Sequence, residues 1–170
     1  MEKATFAGGC FWCIEETFAS LKGVTEVIPG YAGGSEVNPS YEQVCSGTTS
    51  HREAVQVTFN RNIITYEELL RIFWLQIDPT DSSGQFADKG LQYKTAIFYH
   101  SQKQKVLAEK SKREISKKFL KPIVTEILPF TTFYPAEEYH KKYYKKNPVR
   151  YKMYKMFSGR ERYLKNIWKP

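Results

Sequence analysis

The sequence predicts an α+β fold, a two-layer sandwich in which helices cover one mixed β-sheet. Three observations lead to this prediction: short strand-like segments recur along the chain, amphipathic helical segments alternate loosely with them, and the loops between them are long. The length of 170 residues is typical of one domain, and no internal repeat divides the chain. We therefore expect a single domain over residues 1–170, with 149–170 as a basic, aromatic C-terminal segment packed on it.

Five segments have the pattern of β-strands, because they are short, rich in apolar residues and bounded by turn residues. They are residues 3–7, 24–31, 53–59, 94–99 and 122–128. Within 53–59, the apolar residues Val55, Val57 and Phe59 alternate with other types, which predicts a strand with one buried face. The order of the strands in the sheet does not follow from the sequence.

Four segments have helical spacing of their apolar residues. They are residues 10–21, 65–75, 101–120 and 135–146. A capping box opens the second of them at Thr65, and Ser101 is the expected cap of the third. Pro135 suits the first turn of the fourth helix, and Asn147-Pro148 should end it. We expect residues 79–92 to form an ordered loop.

Charge and cysteine content limit the functional classes. The net charge is +8, from 26 Lys and Arg against 18 Asp and Glu, which permits a nucleic-acid, membrane-surface or acidic partner. No recognised nucleic-acid motif occurs and no apolar run approaches the roughly 20 residues that span a bilayer, so we expect neither a nucleic-acid nor a membrane partner. An odd number of cysteines argues against a closed disulfide framework, and no signal peptide is visible, which predicts a cytoplasmic protein.

The central motif is Gly8-Gly9-Cys10-Phe11-Trp12-Cys13, in which a predicted strand meets a predicted helix. A cysteine at a helix start faces unpaired N–H groups and the positive end of the helix dipole, which lower the pKa of its thiol. Cys10 is therefore the candidate reactive thiol, and the alternative is an inert buried cysteine. Phe11 and Trp12 are either core residues or the walls of an apolar pocket.

Cys10 and Cys13 are three residues apart, so on a helix their side chains are neighbours and a small adjustment permits a disulfide. The pair is also compatible with a general disulfide oxidoreductase, or with half of a zinc site completed by Cys45 and His51. Zinc is disfavoured because a second cysteine pair is absent and the chain has only three histidines. A cysteine–histidine hydrolase is a further alternative, but spacing assigns no partner to His51 or His140.

A series of short motifs runs in order along residues 4–148. They are Gly9-Cys10-Phe11-Trp12, Gly30-Tyr31-Ala32-Gly33-Gly34, Asn38-Pro39-Ser40-Tyr41, Val44-Cys45-Ser46-Gly47, His51-Arg52-Glu53-Ala54-Val55, Asp88-Lys89-Gly90-Leu91-Gln92-Tyr93, Phe133-Tyr134-Pro135-Ala136-Glu137-Glu138-Tyr139-His140 and Lys146-Asn147-Pro148. Taken together, these motifs resemble the peptide methionine sulfoxide reductase A family. One such motif alone would be weak, whereas the ordered set is specific.

The resemblance implies an enzyme that reduces methionine sulfoxide with a thiol. It assigns Cys10 as the nucleophile and Glu53 as the acid that protonates the sulfoxide oxygen. It assigns Tyr41 and Tyr93 as phenols that hydrogen-bond near that oxygen. Without the resemblance, Glu53 would be a solvated carboxylate at a strand end, and the two tyrosines would be ordinary half-buried residues.

The resemblance also implies the surroundings of the reaction. Phe11 and Trp12 match the pocket for the S-methyl group of the substrate, and Asp88 matches a polar residue that orders the site. The family acts on the S epimer, free or within peptides and proteins, without metal or organic cofactor, and thioredoxin usually supplies the electrons. We expect a monomeric catalytic domain and, among α+β sandwiches, a ferredoxin-like arrangement.

The chemistry explains why these residue types are needed. A sulfoxide oxygen is a poor leaving group, so protonation must accompany attack by the thiolate, which then becomes a sulfenic acid. Glu53 holds a proton at neutral pH only if a partly apolar pocket raises its pKa.

The sequence departs from the family pattern at its C-terminus. Many members carry resolving cysteines in a Gly-rich tail, but no cysteine follows Cys45 in this chain. Cys13 is therefore the expected resolving thiol, with an external thiol or Cys45 as alternatives.

Overall fold

A computed structural model describes residues 1–168 of the chain. Six strands form one sheet, and two short strands form a separate hairpin. The strands are β1 (Glu2–Ala7), β2 (Val24–Ala32), β3 (Arg52–Phe59), β4 (Gly84–Gln85), β5 (Asp88–Lys89), β6 (Ala96–Tyr99), β7 (Glu126–Pro129) and β8 (Phe133–Pro135). The helices are α1 (Phe11–Ala19), α2 (Tyr41–Cys45), α3 (Tyr66–Trp74), α4 (Gln102–Ser116), α5 (Tyr143–Lys146), α6 (Pro148–Ser158) and α7 (Arg160–Ile167).

The large sheet is mixed, and its strand order is β7-β6-β1-β3-β2-β8. All neighbouring strands are antiparallel except β6 and β7, which run parallel. The prediction of an α+β fold with one mixed sheet and covering helices is confirmed. The four central strands are connected as β1-α1-β2-β3-α3-β6, with α2 in the loop between β2 and β3.

One face of the sheet carries the larger core residues. Phe6 pairs with Val55 on β3 and with Ile97 on β6, so these side chains share a face. The helices α1, α3 and α4 bring their buried residues to the same core. Phe6 stacks between Phe18 of α1 and Phe73 of α3, at ring-centroid distances of 5.1 and 5.0 Å.

The opposite face is built mainly from alanine. The buried residues on it are Ala7, Ala32, Ala54, Ala96 and Phe98. Small side chains let a chain segment lie close to the sheet, and Leu128, Phe130 and Phe133 pack there. The β7–β8 region therefore covers this face of the sheet.

The predicted helix over residues 135–146 is wrong. Pro135 belongs to β8 and pairs with Gly30 of β2, where a Cβ would lie 2.3 Å from the carbonyl oxygen of Tyr134. Strand pairing at the sheet edge overrides the local helix signal. A 3₁₀ turn (Glu138–His140) and the short helix α5 follow, separated by Lys142 in a left-handed conformation.

Other boundaries also differ from the prediction. Helix α2 was not predicted, although Ser40 and Gln43 form a capping box at its start. The predicted helix 101–120 ends at Ser116, and the predicted strand 122–128 begins at Glu126. The loop 79–92 contains the hairpin β4–β5.

The C-terminal segment forms the two helices α6 and α7, joined at Gly159, which has φ +81°. Its residues Tyr151, Ser158 and Arg160 are buried. The last two residues of the predicted segment 149–170, Lys169 and Pro170, lie outside the described residues. None of the helices within residues 1–168 is long and apolar enough to cross a membrane.

We expect the two faces of α6 to differ sharply in their contribution to stability. Tyr151 is 3% exposed and Met156 is 67% exposed on the same helix. Tyr151→Ala should lower the free energy of unfolding by about 3 kcal/mol, as for other buried aromatic residues. Met156→Ala, the matched control, should change it by less than about 0.5 kcal/mol. Denaturant titration checks both values, and equal losses would contradict the packing of α6 described above.

Candidate active site

Cys10 lies where β1 meets α1, and it is the N-cap residue of that helix. Gly9 precedes it with φ +86°, a conformation that favours glycine. A Cβ at Gly9 would also lie 2.8 Å from the Cβ of Gln85 and 2.9 Å from an Nη atom of Arg160. The glycine therefore allows both the turn and the close approach of two other segments.

The thiols of Cys10 and Cys13 form a buried pair in which both cysteines are reduced. Burial raises the pKa of Cys10 well above its ordinary value. The hydrogen bond from Cys10 lowers the pKa of Cys13 to about 6, with help from the charge of Arg160. The expectation that the helix start lowers the pKa of Cys10 is therefore not met, because burial and the neighbouring sulfur outweigh the helix start.

Glu53 lies on β3, on the same face as Val55, and is only 1% exposed. The backbone N–H of Phe11 donates to its Oε1 at 3.2 Å. The pKa of Glu53 is raised to about 8, mainly by burial and also by the charges of Asp88 and Cys13, against the lowering effect of the hydrogen bond from Phe11. Its carboxyl group is therefore protonated at neutral pH beside the first residue of α1.

Tyr41 and Tyr93 lie on the other side of this group. Both are half-buried, and both hydroxyls hydrogen-bond with the thiol of Cys45. Burial is the main cause that raises the pKa of each phenol, and the charge of Glu53 raises both further. The structure thus brings both predicted tyrosines near Glu53, and it places Cys45 between them.

Aromatic rings surround the start of α1. The ring of Phe11 lies 5.9 Å from that of Tyr31 and 5.1 Å from that of His140. Trp12 is half-buried, stacks on Tyr143 at 3.9 Å, and donates from Nε1 to Nδ1 of His140 at 3.1 Å. These contacts hold both rings in fixed positions next to Cys10.

Two tyrosines of α6 cover the thiol pair; the sequence predicted that the aromatic tail packs on the domain, but it assigned neither tyrosine a contact with a particular thiol. Tyr154 hydrogen-bonds with Cys10, and its hydroxyl group donates a hydrogen bond to Asp88. Tyr151 hydrogen-bonds with Cys13, and its hydroxyl group donates a hydrogen bond to Glu16. Their spacing of three residues places both on one helix face, a signal that the aromatic tail already contained.

Arg160 is a further buried residue that sequence reasoning missed. It donates from Nη2 to the carbonyl oxygen of Gly8 at 3.0 Å and from Nη1 to that of Gln76. No local pattern distinguishes it from the other basic residues of the tail.

The alternative zinc set is not assembled. His51 is fully buried, accepts from the backbone N–H of Gly34 at its Nδ1, and donates from Nε2 to the carbonyl oxygen of Glu36. Within residues 1–168, no group of three or more His, Cys, Asp or Glu side chains could hold a metal ion.

The family model and the curated relatives that match this chain carry the same description. A family model described as peptide methionine sulfoxide reductase matches residues 2–170. Peptide methionine sulfoxide reductase MsrA of Bacillus licheniformis is 55% identical over 169 residues, which cover 98% of this chain and 93% of the relative.

Solved structures are similar as well. Mxr1 from Saccharomyces cerevisiae in its reduced form superposes with a TM-score of 0.83 and 38% identity, covering 87% of this chain and 86% of that chain. Mxr1 in complex with Trx2 superposes with a TM-score of 0.60 and 27% identity, covering 84% of each chain.

We expect Glu53 to titrate with a midpoint near pH 8, since its pKa is raised to about 8 by burial. NMR titration of the side-chain carboxyl carbons measures this value in the reduced protein. Glu68 is the internal control, because hydrogen bonds from Thr65 lower the pKa of its exposed carboxyl. A Glu53 midpoint as low as that of Glu68 would refute the protonated state.

Proposed function

The chain belongs to the peptide methionine sulfoxide reductase A family and returns methionine sulfoxide to methionine with a thiol, and we propose that Cys10 is the attacking nucleophile. The observation that carries this proposal is Glu53, a buried and protonated acid held by the N–H of Phe11 next to Cys10. Because Oε1 accepts that N–H, the proton on Oε2 is free to reach the sulfoxide oxygen.

In the first step, Cys10 loses its proton to solvent and its sulfur attacks the sulfoxide sulfur, while Glu53 protonates the oxygen and later regains a proton from solvent. The hydroxyl group passes to Cys10, which becomes a sulfenic acid, and methionine leaves reduced by two electrons. Tyr41 and Tyr93 donate hydrogen bonds to the developing oxyanion. Their position near Glu53 supports this role, because the charge of Glu53 acts on both phenols.

The same geometry supports roles for the remaining predicted residues. Phe11 and Trp12 enclose the S-methyl group, because their rings are held against His140 and Tyr143 beside Cys10. Asp88 orders the site by accepting a hydrogen bond from the hydroxyl group of Tyr154. No metal or organic cofactor takes part in this scheme.

In the second step, the sulfur of Cys13 attacks the sulfenic sulfur of Cys10. The S–S bond forms, and the hydroxyl leaves as water with one proton. The contact between the two thiols supports Cys13 over Cys45, which is bound to two tyrosines instead. Thioredoxin then returns two electrons to the disulfide, in keeping with the Mxr1 complex with Trx2. A general disulfide oxidoreductase that uses the same pair is the alternative.

Further proposals concern the setting of the enzyme. We place it in the cytoplasm as a monomer without nucleic-acid or membrane partners, acting on the S epimer in free methionine sulfoxide, peptides and proteins. The three free thiols fit a reducing compartment. The connection β1-α1-β2-β3-α3-β6 with spatial order β6-β1-β3-β2 supports a ferredoxin-like core, and the buried residues of α6 and α7 support one catalytic domain.

We expect Glu53→Gln to slow the sulfoxide step by roughly 100-fold, the scale of general acid catalysis. In the wild type, this step should also slow as pH rises through about 8, because Glu53 loses its proton there. Single-turnover reduction of each epimer of a methionine sulfoxide peptide measures both effects. Cys10→Ser is the inactive reference. Equal rates in wild type and Glu53→Gln would make Glu53 a structural residue, and reduction by Cys10→Ser would refute the nucleophile.

Cys13→Ser should release about one methionine per enzyme and then stall when thioredoxin is the reductant. Dithiothreitol should partly restore turnover, because a small thiol can reach the sulfenic acid. Mass mapping of the oxidised wild type should show a Cys10–Cys13 disulfide with Cys45 free. Cycling of Cys13→Ser with thioredoxin at the wild-type rate would assign resolution to another thiol, whereas loss of the first methionine as well would favour the general oxidoreductase.

A further inference from the structure

Glu15 is a buried acidic residue that the proposed mechanism does not use. It lies on α1 and is 1% exposed. Both of its carboxylate oxygens accept the backbone N–H of Lys142, at 3.0 and 3.1 Å. No lysine within residues 1–168 forms an ion pair with it. A buried carboxylate is costly unless it is well hydrogen-bonded, so its bond to a segment far away in the sequence needs an explanation.

The segment that Glu15 holds is strained and weakly buried. Lys142 has φ +53° and ψ +39°, a left-handed conformation that a lysine rarely adopts. The residues after it, 143–146, are half-buried or exposed. A strained backbone conformation persists only where surrounding contacts fix it. The hydrogen bond from the N–H of Lys142 to the buried carboxylate of Glu15 is such a contact.

The same segment holds the indole ring of Trp12. Tyr143 stacks on this ring with a centroid distance of 3.9 Å and an angle of 8° between the ring planes. Nδ1 of His140 accepts the indole N–H at 3.1 Å. Glu15 and Trp12 are three residues apart on α1, so their side chains are neighbours on one helix face. Glu15 therefore anchors the segment beside Trp12 through a contact that does not involve the indole ring.

We propose that Glu15 is a positioning residue that fixes Trp12 as a wall of the S-methyl pocket and thereby sets the preference for a methyl group on the sulfoxide sulfur. It acts through the backbone of Lys142, which keeps Tyr143 and His140 against the indole ring. This inference rests on the proposed role of Trp12 at that pocket. A fixed apolar wall can reject one additional methylene group by about 10–200-fold, and a wall that moves aside loses that discrimination.

The test separates the reach of the Glu15 side chain from its charge. Glu15→Gln keeps an oxygen that can accept the N–H of Lys142, whereas Glu15→Asp keeps the charge but shortens the side chain by one methylene group. Glu15 lines a groove of about 550 Å³, so water can reach the N–H when the carboxylate withdraws, and we expect Glu15→Asp to fold. Glu26→Asp, the same change at an exposed glutamate of this groove, is the matched control.

The indole N–H of Trp12 reports the position of this wall without substrate. Its hydrogen exchange, followed by NMR in the reduced full chain, is slowed while His140 accepts the N–H. Glu15→Asp should accelerate this exchange by about tenfold or more, because the segment loses the hydrogen bond that anchors it. Glu15→Gln and Glu26→Asp should exchange at close to the wild-type rate. Trp74, whose Nε1 donates to Ser111 Oγ at 3.0 Å, is the internal control and should not change.

The preference for a methyl group should change in the same variants. With dithiothreitol as the reductant, Glu15→Asp should raise KM for the S epimer of free methionine sulfoxide by about tenfold and change kcat less, because the wall binds substrate and transition state alike. The ratio of kcat/KM for methionine sulfoxide to that for ethionine sulfoxide should fall by about tenfold. Glu15→Gln and Glu26→Asp should keep both quantities close to the wild-type values.

A role of Glu15 in stability alone gives a different result. In that case Trp12 and Trp74 would both exchange faster in Glu15→Asp while the preference for a methyl group stayed unchanged, and the proposal would be overturned. Equal losses in Glu15→Gln and Glu15→Asp would overturn the hydrogen bond as the cause. Faster exchange of Trp12 alone, with an unchanged preference, would refute Trp12 as the pocket wall. Because exchange is measured without substrate, it tests Glu15 even if Trp12 proves not to line the pocket.

Discussion

The burial of two sulfur atoms in contact is the constraint on which the rest of this structure depends. Away from water, a pair of thiols carries at most one negative charge, so the two sulfurs share a proton and differ in pKa. The same burial keeps Glu53 protonated at neutral pH. One physical cause therefore sets the protonation states of the nucleophile and the acid together.

The C-terminal helices complete this enclosure. Cys10 is only 5% exposed, and Tyr154 hydrogen-bonds with its sulfur. Burial and this contact together shield the sulfur of Cys10 from water in the reduced protein. The chain has no cysteine in its tail. What the tail contributes instead are phenols and one guanidinium group around a thiol pair that lies entirely in the first turn of α1.

The sequence predicted those parts of the site that are set locally. Gly8-Gly9-Cys10 marks the junction of strand and helix, and the alternation of Val55, Val57 and Phe59 marks the buried face of β3. Glu53 shares that face, but its local pattern favoured a solvated carboxylate, and the resemblance to the family is what assigned it as the acid. The sequence wrongly predicted a helix over residues 135–146, and it did not predict the contacts of Tyr154 and Arg160. Each of these features depends on partners that are distant in the sequence. Pro135 pairs with Gly30, and the two tail residues contact Asp88 and Gly8. Local signals cannot show which of several basic or aromatic residues will be buried.

The lowered pKa of Cys13 and the raised pKa of Glu53 together define the pH range in which the proposed reaction works. Cys13 has a pKa of about 6 and Glu53 a pKa of about 8. Between these values the resting site holds one thiolate and one protonated acid at the same time. Below the range the thiol pair loses its negative charge, and above it Glu53 has no proton to give. Environments that move two pKa values apart in this way divide the tasks of base and acid between neighbouring groups. Here burial raises the pKa of Glu53, while the hydrogen bond from Cys10 and the charge of Arg160 lower the pKa of Cys13, so the two neighbouring groups take opposite protonation states at neutral pH.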